Sequence, residues 1–254
     1  MLTFIKQLLF KLLPIEAYLR LVSSLYIKLI SAGFLQKQYP EIHYLRTLVK
    51  PGFNCIDIGA NLGYYSVFMS KWATQSGKVI AVEPMPLFGK IWQGNILMNR
   101  CTNITLVPNA LGDERKTVRM TTPVVDGVLR HGLTKVSDTN TDSAITAQSI
   151  DVQMITPTEA FATMTKIDFV KIDVEGYEQY IIKEMLPLLN THKPIVQAEL
   201  SGTENRANVL AMFTELRYEI HILKAQQLVA INYADATNYD CDFYFKHPYG
   251  IAYN

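Results

Sequence analysis

Cysteine is scarce in this chain. Cys55, Cys101 and Cys241 are the only three in 254 residues, odd in number and widely spaced. That pattern excludes a disulfide framework and a zinc knuckle, and it points to a reducing, cytoplasmic setting. An excess of one charge is lacking too: 24 basic against 23 acidic residues leave a formal charge of +1, so no nucleic-acid partner is indicated. No apolar run is both long and uncharged enough for a comfortable bilayer span, because Met1 to Leu13 carries Lys6 and Lys11 and stops at Pro14. The same stretch has no clear small-residue cleavage site of a signal peptide. Internal repeats and low-complexity tracts are absent. So are a Gly-x-Gly-x-x-Gly turn and a Tyr-x-x-x-Lys pair, which weighs against a nicotinamide-dependent oxidoreductase. With 49% hydrophobic and 19% charged residues, the chain can bury one sizeable core.

What is present begins with Asp57-Ile58-Gly59-Ala60-Asn61-Leu62-Gly63-Tyr64-Tyr65-Ser66. An apolar strand, Phe53 to Ile58, runs into a glycine-punctuated turn and then a helix, the order that makes a nucleotide-cofactor cradle. Gly59 and Gly63 let the backbone turn tightly and approach a ligand where a Cβ would collide. Amides at the start of the following helix, with its dipole, favour an anionic ligand group. The next apolar run, Lys78 to Val82, ends in Glu83-Pro84. Glu83 lies about twenty residues past the turn, where nucleotide folds place a carboxylate on ribose hydroxyls. A surface acid at a strand end is the structural alternative.

Alternating strands and helices predict βαβ crossovers and a mostly parallel sheet with helices on both faces. Residues Lys116 to Val152 break that rhythm with Thr-, Val- and Ser-rich segments, read as an inserted pair or trio of short strands near the cofactor side. The rhythm resumes at Phe169–Ile172, and Tyr218–Leu223 with Phe243–Phe245 look like a closing antiparallel pair. Ahead of the domain at 49–254, residues 1–48 form an amphipathic helical appendage. Ile15, Tyr18, Leu19, Val22, Leu25, Tyr26 and Leu29 recur there at helical spacing. Its apolar face packs on the domain or a second subunit, or meets a membrane surface or lipid-linked substrate.

A second constellation, Lys166 to Glu178, delivers Asp173 and Glu175 at the carboxyl end of a buried strand, where open α/β sheets place their ligand crevice. Three acids so close, with Glu178, repel one another unless a cation, proton or donor offsets them. The alternative is a helix start, with Asp173 as cap and the glutamates in a dipole-favoured first turn. Glu199 closes the next strand and faces the same crevice.

Four motifs in order carry a resemblance: Asp-Ile-Gly-Ala-Asn-x-Gly-x-Tyr-Ser, Val-Glu-Pro, Asn-Ala-Leu-Gly-Asp and Lys-Ile-Asp-Val-Glu-Gly-Tyr-Glu. Over roughly Pro51 to Pro248 the chain resembles the FkbM-type family of S-adenosylmethionine-dependent methyltransferases. The resemblance implies a doubly wound, seven-stranded Rossmann-like class I methyltransferase sheet. It implies S-adenosylmethionine as cofactor and methyl transfer to a hydroxyl of a sugar, glycan or natural-product acceptor. It places the cofactor's methionine part against Gly59, Ala60, Asn61 and Gly63, with Asp57 as partner of its amino group. Glu83 holds the ribose, Asn109 and Ala110 flank the adenine with Pro84 or Leu111 as apolar cover, and Asp173 lies near the reactive methyl. A hydroxyl is a poor nucleophile, so a base or metal helps. Asp173 is the first base candidate, and His131, in the insertion beside Gly132, the second. Asp173 and Glu199 together are a candidate Mg²⁺ pair. A non-catalytic scaffold recruited by the N-terminus is the remaining alternative.

Overall fold

The computed structural model describes residue 10 and residues 12–125, 128–129, 134–136 and 147–250. Two helices, α1 (Ile15–Ser31) and α2 (Pro40–Leu48), come first. A strand–helix alternation follows: β1 (Asn54–Ile58), α3 (Tyr64–Ala73), β2 (Lys78–Val82), α4 (Pro86–Met98) and β3 (Ile104–Val107). Next come β4 (Ala110–Leu111), β5 (Lys116–Val125), β6 (Val128–Leu129), β7 (Lys135–Val136), β8 (Ala147–Ile155) and the short α5 (Pro157–Ala160). The alternation resumes with β9 (Phe169–Ile172), α6 (Glu178–His192), β10 (Ile195–Glu199) and α7 (Thr203–Glu215). The chain closes through β11 (Glu219–Lys224), β12 (Gln227–Ile231), α8 (Tyr233–Ala236) and β13 (Asp242–Lys246).

The main sheet has eight strands in the order β12-β11-β13-β10-β9-β1-β2-β3. From β3 to β10 neighbours are parallel, and β13, β11 and β12 add on antiparallel. The chain winds outward from β1 through β2 to β3, then returns to β9 on the other flank of β1. That reversal creates the switch-point crevice of a doubly wound sheet. Both faces are covered, which is why the central strands read as continuous apolar runs. Ile56 and Ile58 of β1 join a core with Ile181, Met185 and Phe213, whereas Cys55 joins the opposite core with Val67, Phe68 and Tyr244.

The eighth strand corrects the seven-strand expectation. Lys224 pairs directly with Gln227, so β11 and β12 are joined by a two-residue turn, Ala225-Gln226, with φ of 49° and 64°. Two positive φ values are the mark of a type I′ hairpin, which ordinarily announces itself with Asn or Gly. Here neither residue does, and β12 is only partly buried, so no local signal betrayed it.

The insertion is also larger than short strands. β5 and β8 form one long antiparallel pair, from Lys116 with Met154 to Pro123 with Ala147, while β6 and β7 between them in the chain also pair with β5. Met120, Val152 and Met154 turn inward onto Leu62, Phe88 and Ala110, which fixes the register by burial. Leu111 pairs with Ile155, tying this second sheet to the segment that follows β3.

The N-terminal helices pack on the sheet's own helices, α1 on α4 and α2 on α3. The buried stripe of α1 is Leu19, Ser23, Ile27 and Ile30, so Leu25, which the sequence placed on the apolar face, lies 49% exposed. Ser23 earns its buried place by accepting from Asn95 Nδ2 at 2.8 Å. Among the described residues no helix is long and apolar enough to cross a membrane.

Candidate active site

The glycine turn leaves β1 at the switch point, and the reason for its glycines is internal. A Cβ on Gly59, at φ 81°, would overlap the carbonyl oxygen of Asp173; one on Gly63, at φ 90°, would stand 2.9 Å from Trp92 Cδ1. Close approach of β9's exit backbone and of an indole demands these residues, and Gly59 also borders two cavities at the switch-point crevice. The turn's amides are also engaged. Gly59 and Ala60 donate to Val82 O at 3.1 and 2.9 Å, Asn61 to Glu83 Oε2 at 2.8 Å, and Gly63 to Ala60 O at 2.8 Å. These four amides belong to the turn itself, ahead of α3, which begins at Tyr64.

Asp57, one residue before the carboxyl end of β1, is fully buried. Trp92 Nε1 donates to Ser66 Oγ at 2.8 Å, and Ser66 donates onward to Asp57 Oδ2 at 2.5 Å. Among the described residues, Asp57 Oδ1 has no hydrogen-bond partner. Burial pushes the Asp57 carboxyl up, opposed by the Lys171 ammonium and the Ser66 hydroxyl.

Glu83 ends β2, buried, with each oxygen accepting one amide: Oε2 from Asn61 and Oε1 from Met85, both at 2.8 Å. A carboxylate offers about four acceptor positions, so two remain for a ligand. Burial raises this carboxyl to about 7, against the pull of the Met85 and Asn61 amides. The surface-acid alternative is thereby removed. Asn109 donates through Nδ2 to Gln153 O of β8 at 3.3 Å, so the second sheet anchors it.

At the end of β9, Lys171 is buried and donates to Asp173 Oδ2 at 2.8 Å. Its ammonium sits 4.4 Å from the centre of the Tyr65 ring. Burial alone would lower the Lys171 pKa; the carboxylates of Asp173, Asp57 and Asp242 outweigh it and hold it above its ordinary value. The helix-cap alternative for Asp173 does not hold, since α6 starts at Glu178 with Tyr177 at its cap position. Glu178 itself is structural: buried, it accepts from the amides of Val174 and Gly176 and from Asn205 Nδ2 at 2.6 Å. Glu175 has a left-handed φ of 54°, and burial, Asp173 and Glu178 lift its carboxyl to about 7. Glu199, exposed at the end of β10, is raised to about 7 by partial desolvation and by Asp173 and Asp242.

Two adjoining cavities open over these strand ends. The first, about 270 Å³, is bordered by Gly59, Asn61, Glu83, Pro84, Asn109 and Ala110, and by Asp173 and Glu199. The second, about 250 Å³, shares Gly59, Asn61, Asp173 and Glu199 and adds Asp57, Lys171, Asp242 and a wall from Tyr39 and Glu41. Gly63 borders neither, and its part is to bend the chain into α3. His131 lies outside the described residues. Lys171, Asp242, Tyr39 and Glu41 were missed by sequence reasoning. For Lys171 a signal existed, a lone charge inside a buried apolar strand. The others arrive by long-range packing.

The Asp173–Glu199 pair does not fit a magnesium ion. One oxygen of Asp173 is already bonded to the Lys171 ammonium, and no cluster of metal-ligating side chains forms among the described residues. The crevice does fit an S-adenosylmethionine-sized cation. It offers an unpartnered buried carboxylate oxygen, a second acid at the end of β2, and apolar walls from Val82, Leu111 and Ile181.

This is the mixed α/β fold of the class I S-adenosylmethionine-dependent methyltransferases. The profile of the methyltransferase FkbM domain matches residues 57–226, and the chain belongs to that family. No curated protein matches it. Among solved structures, it is similar to a methyltransferase FkbM from Methylobacillus flagellatus KT, with 15% identity and a TM-score of 0.48 over 80% of this chain and 50% of that one. The chain thus spans half the length of that relative. An S-adenosylmethionine-dependent O-methyltransferase from Thermotoga maritima aligns at 14% identity and TM-score 0.43, over 84% of this chain and 67% of that one. Aeropyrum pernix fibrillarin, solved with natively bound S-adenosyl-L-methionine, aligns at 13% identity and TM-score 0.44, covering 78% and 68%.

Proposed function

We propose that this chain transfers a methyl group from S-adenosylmethionine to a hydroxyl oxygen of a small-molecule or glycan acceptor. The observation that carries the reading is the first cavity, which gathers residues of all four sequence motifs at the carboxyl ends of β1, β2, β3 and β9. In this reading Asp57 takes the cofactor's ammonium on its unpartnered oxygen, and Gly59, Ala60 and Asn61 bound its methionine part. Glu83 grips the ribose through its remaining acceptor positions. Ala110, Pro84 and Leu111 cover the adenine while Asn109 stands at its edge. When bound, the cofactor supplies an electrophilic methyl on a positive sulfur.

The protein's own share is positioning and proton removal. Holding acceptor and donor in near-attack geometry supplies much of the rate. Glu199, with a carboxyl near 7, takes the proton that the acceptor hydroxyl sheds. Asp173, fixed by Lys171, orients that hydroxyl. The exposed Leu21 and Leu25 of α1, with Phe34 in the segment after it, give the N-terminal region apolar outer surface, which supports peripheral contact with a membrane or a second copy. Titration calorimetry with S-adenosylmethionine and S-adenosylhomocysteine tests the reading. Micromolar binding that collapses in Glu83→Ala is expected, and absence of heat with both compounds on folded protein rejects it.

A further inference from the structure

Charge is unevenly spread along this chain. Residues 1–39, ahead of α2, hold five basic side chains, Lys6, Lys11, Arg20, Lys28 and Lys37, against one acid, Glu16. The remainder holds 19 basic and 22 acidic residues, so a near-neutral protein carries a cationic N-terminal segment. Glu16 is itself engaged, 2.7 Å from Lys90 Nζ and 3.2 Å from Arg20. A separate observation concerns shape. With 3.6 residues per turn, Leu21 and Leu25 fall on the side of α1 opposite its buried stripe of Leu19, Ser23, Ile27 and Ile30. Leu21 is 46% and Leu25 49% exposed. Half-buried Tyr18 extends this outer stripe toward Phe10, whose ring meets it edge-on at 5.2 Å, and exposed Lys28 stands two turns beyond Leu21 on the same side.

A helix with leucines on two opposite sides, one set in the core and one in solvent, has an apolar face left to cover. The basic side chains around that face select what covers it. On a bilayer, leucines enter the acyl boundary while lysine and arginine stay at headgroup level against anionic lipid, so hydrophobic burial and Coulomb attraction act together. A two-fold dimer through the same face would set one cationic segment against another, and that repulsion opposes the pairing. The turn after α1 repeats the combination, with Phe34 62% exposed and Lys37 exposed beyond it.

We propose that the outer face of α1 rests on an anionic lipid surface, with Leu21 and Leu25 in the acyl boundary and Lys28 at the headgroups. This selects the membrane from the two contacts proposed for the N-terminal region, and it leaves the methyl-transfer reading to its own test. On the inner side of α1, Leu19 packs in one core with Phe88 and Met120, which border the first cavity, so the lipid-facing helix and the crevice share packing.

Co-sedimentation of the full chain with two kinds of vesicle tests it, one of phosphatidylcholine alone and one of phosphatidylcholine mixed with phosphatidylserine. Binding to the mixture is expected to be at least about tenfold tighter, with most of that preference lost in high salt. Leu21→Ser combined with Leu25→Ser should weaken binding to the mixture about tenfold, and so should Lys28→Glu, the latter by removing the preference for phosphatidylserine. Both variants change exposed positions, so melting temperature and S-adenosylhomocysteine affinity should stay as in the native protein. Equal affinity for the two vesicles, no sedimentation with either, or native binding by either variant overturns the proposal. A dimer in light scattering that the double serine variant loses, without vesicle binding, overturns it in favour of a second copy. Vesicle binding without any S-adenosylhomocysteine binding removes the methyl-transfer reading instead and leaves the lipid contact standing.

Discussion

Gly59 and Asp173 are held against each other at the switch point: the turn leaving β1 has no room for a Cβ because the carbonyl of Asp173 occupies it. One backbone crossing thus sets both the floor of the cofactor cavity and the position of the acid beside it. Gly59→Ala is expected to cost several kcal/mol, on the order of the largest single-residue effects, because a rigid carbonyl must move. Gly33→Ala is the control. It has a similar φ of 83° with nothing within 4 Å, so only the left-handed backbone penalty of about 1–2 kcal/mol applies. Urea denaturation of both variants measures the gap, and equal losses would show that the Asp173 contact is slack.

Glu83 links pH to stability and to binding with opposite signs. Its carboxyl rises from 4.5 to about 7 on folding, so the native state keeps a proton that the unfolded chain releases. Stability is therefore full below 4.5, falls as pH climbs toward 7, and is flat above. The contribution is roughly 3 kcal/mol for a shift of this size. Cofactor binding runs the other way, since ribose hydroxyls donate best to the ionised form, and affinity should drop about tenfold per pH unit below 7. Glu83→Gln should flatten both profiles. Melts and calorimetry between pH 5 and pH 8 decide it, and an unchanged slope in the variant would assign the titration to Glu175 or Glu199.

One buried amide joins α1 to α4 and to the glycine turn. Asn95 Nδ2 donates to Ser23 Oγ and to Leu62 O, each at 2.8 Å, all in a buried setting. Ser23→Ala leaves one donor hydrogen without a partner and should cost about 1–3 kcal/mol. Asn95→Ala additionally strands the Leu62 carbonyl beside the glycine turn and should cost more. Chemical denaturation gives the ordering; a neutral Ser23→Ala would mean that water replaces the hydroxyl.

Local chemistry made part of this site legible. Glycines with positive φ, acids at the ends of apolar runs and the strand–helix rhythm are all written within a dozen residues, so Gly59, Glu83, Asp173 and Glu199 stand where the pattern placed them at the crevice. What escaped was whatever the sheet assembles over distance. Asp242 enters the site because β13 pairs with β10 in a register that sets it opposite Glu199. Glu41 enters because α2 packs on α3. The tight turn at Gly59 and Gly63, both with positive φ, was legible, but the Asp173 carbonyl and the Trp92 ring that crowd them were not, since a sequence does not show which groups pass close by.

Lys171 carries the heaviest electrostatic load in the site. It is the cation within reach of Asp57, Asp173 and Asp242, and its own pKa is held up by all three. Lys171→Met keeps the apolar stem over Tyr65 but removes the charge, leaving buried carboxylates without compensation. Breaking a buried ion pair from one side costs about 3–5 kcal/mol. The carboxyls then escape by taking up protons, so the variant should lose stability as pH rises and recover much of it in acid. The same geometry predicts the outcome of metal removal. With the ammonium already bonded to Asp173 Oδ2, treatment with a chelator should leave melting temperature and S-adenosylhomocysteine affinity unchanged in the native protein. Lys171→Met, by contrast, should acquire stabilisation by magnesium, because only there do the freed carboxylates need a replacement cation. A wild-type melting temperature that falls in chelator and returns with magnesium would show that the lysine and a metal share the acids.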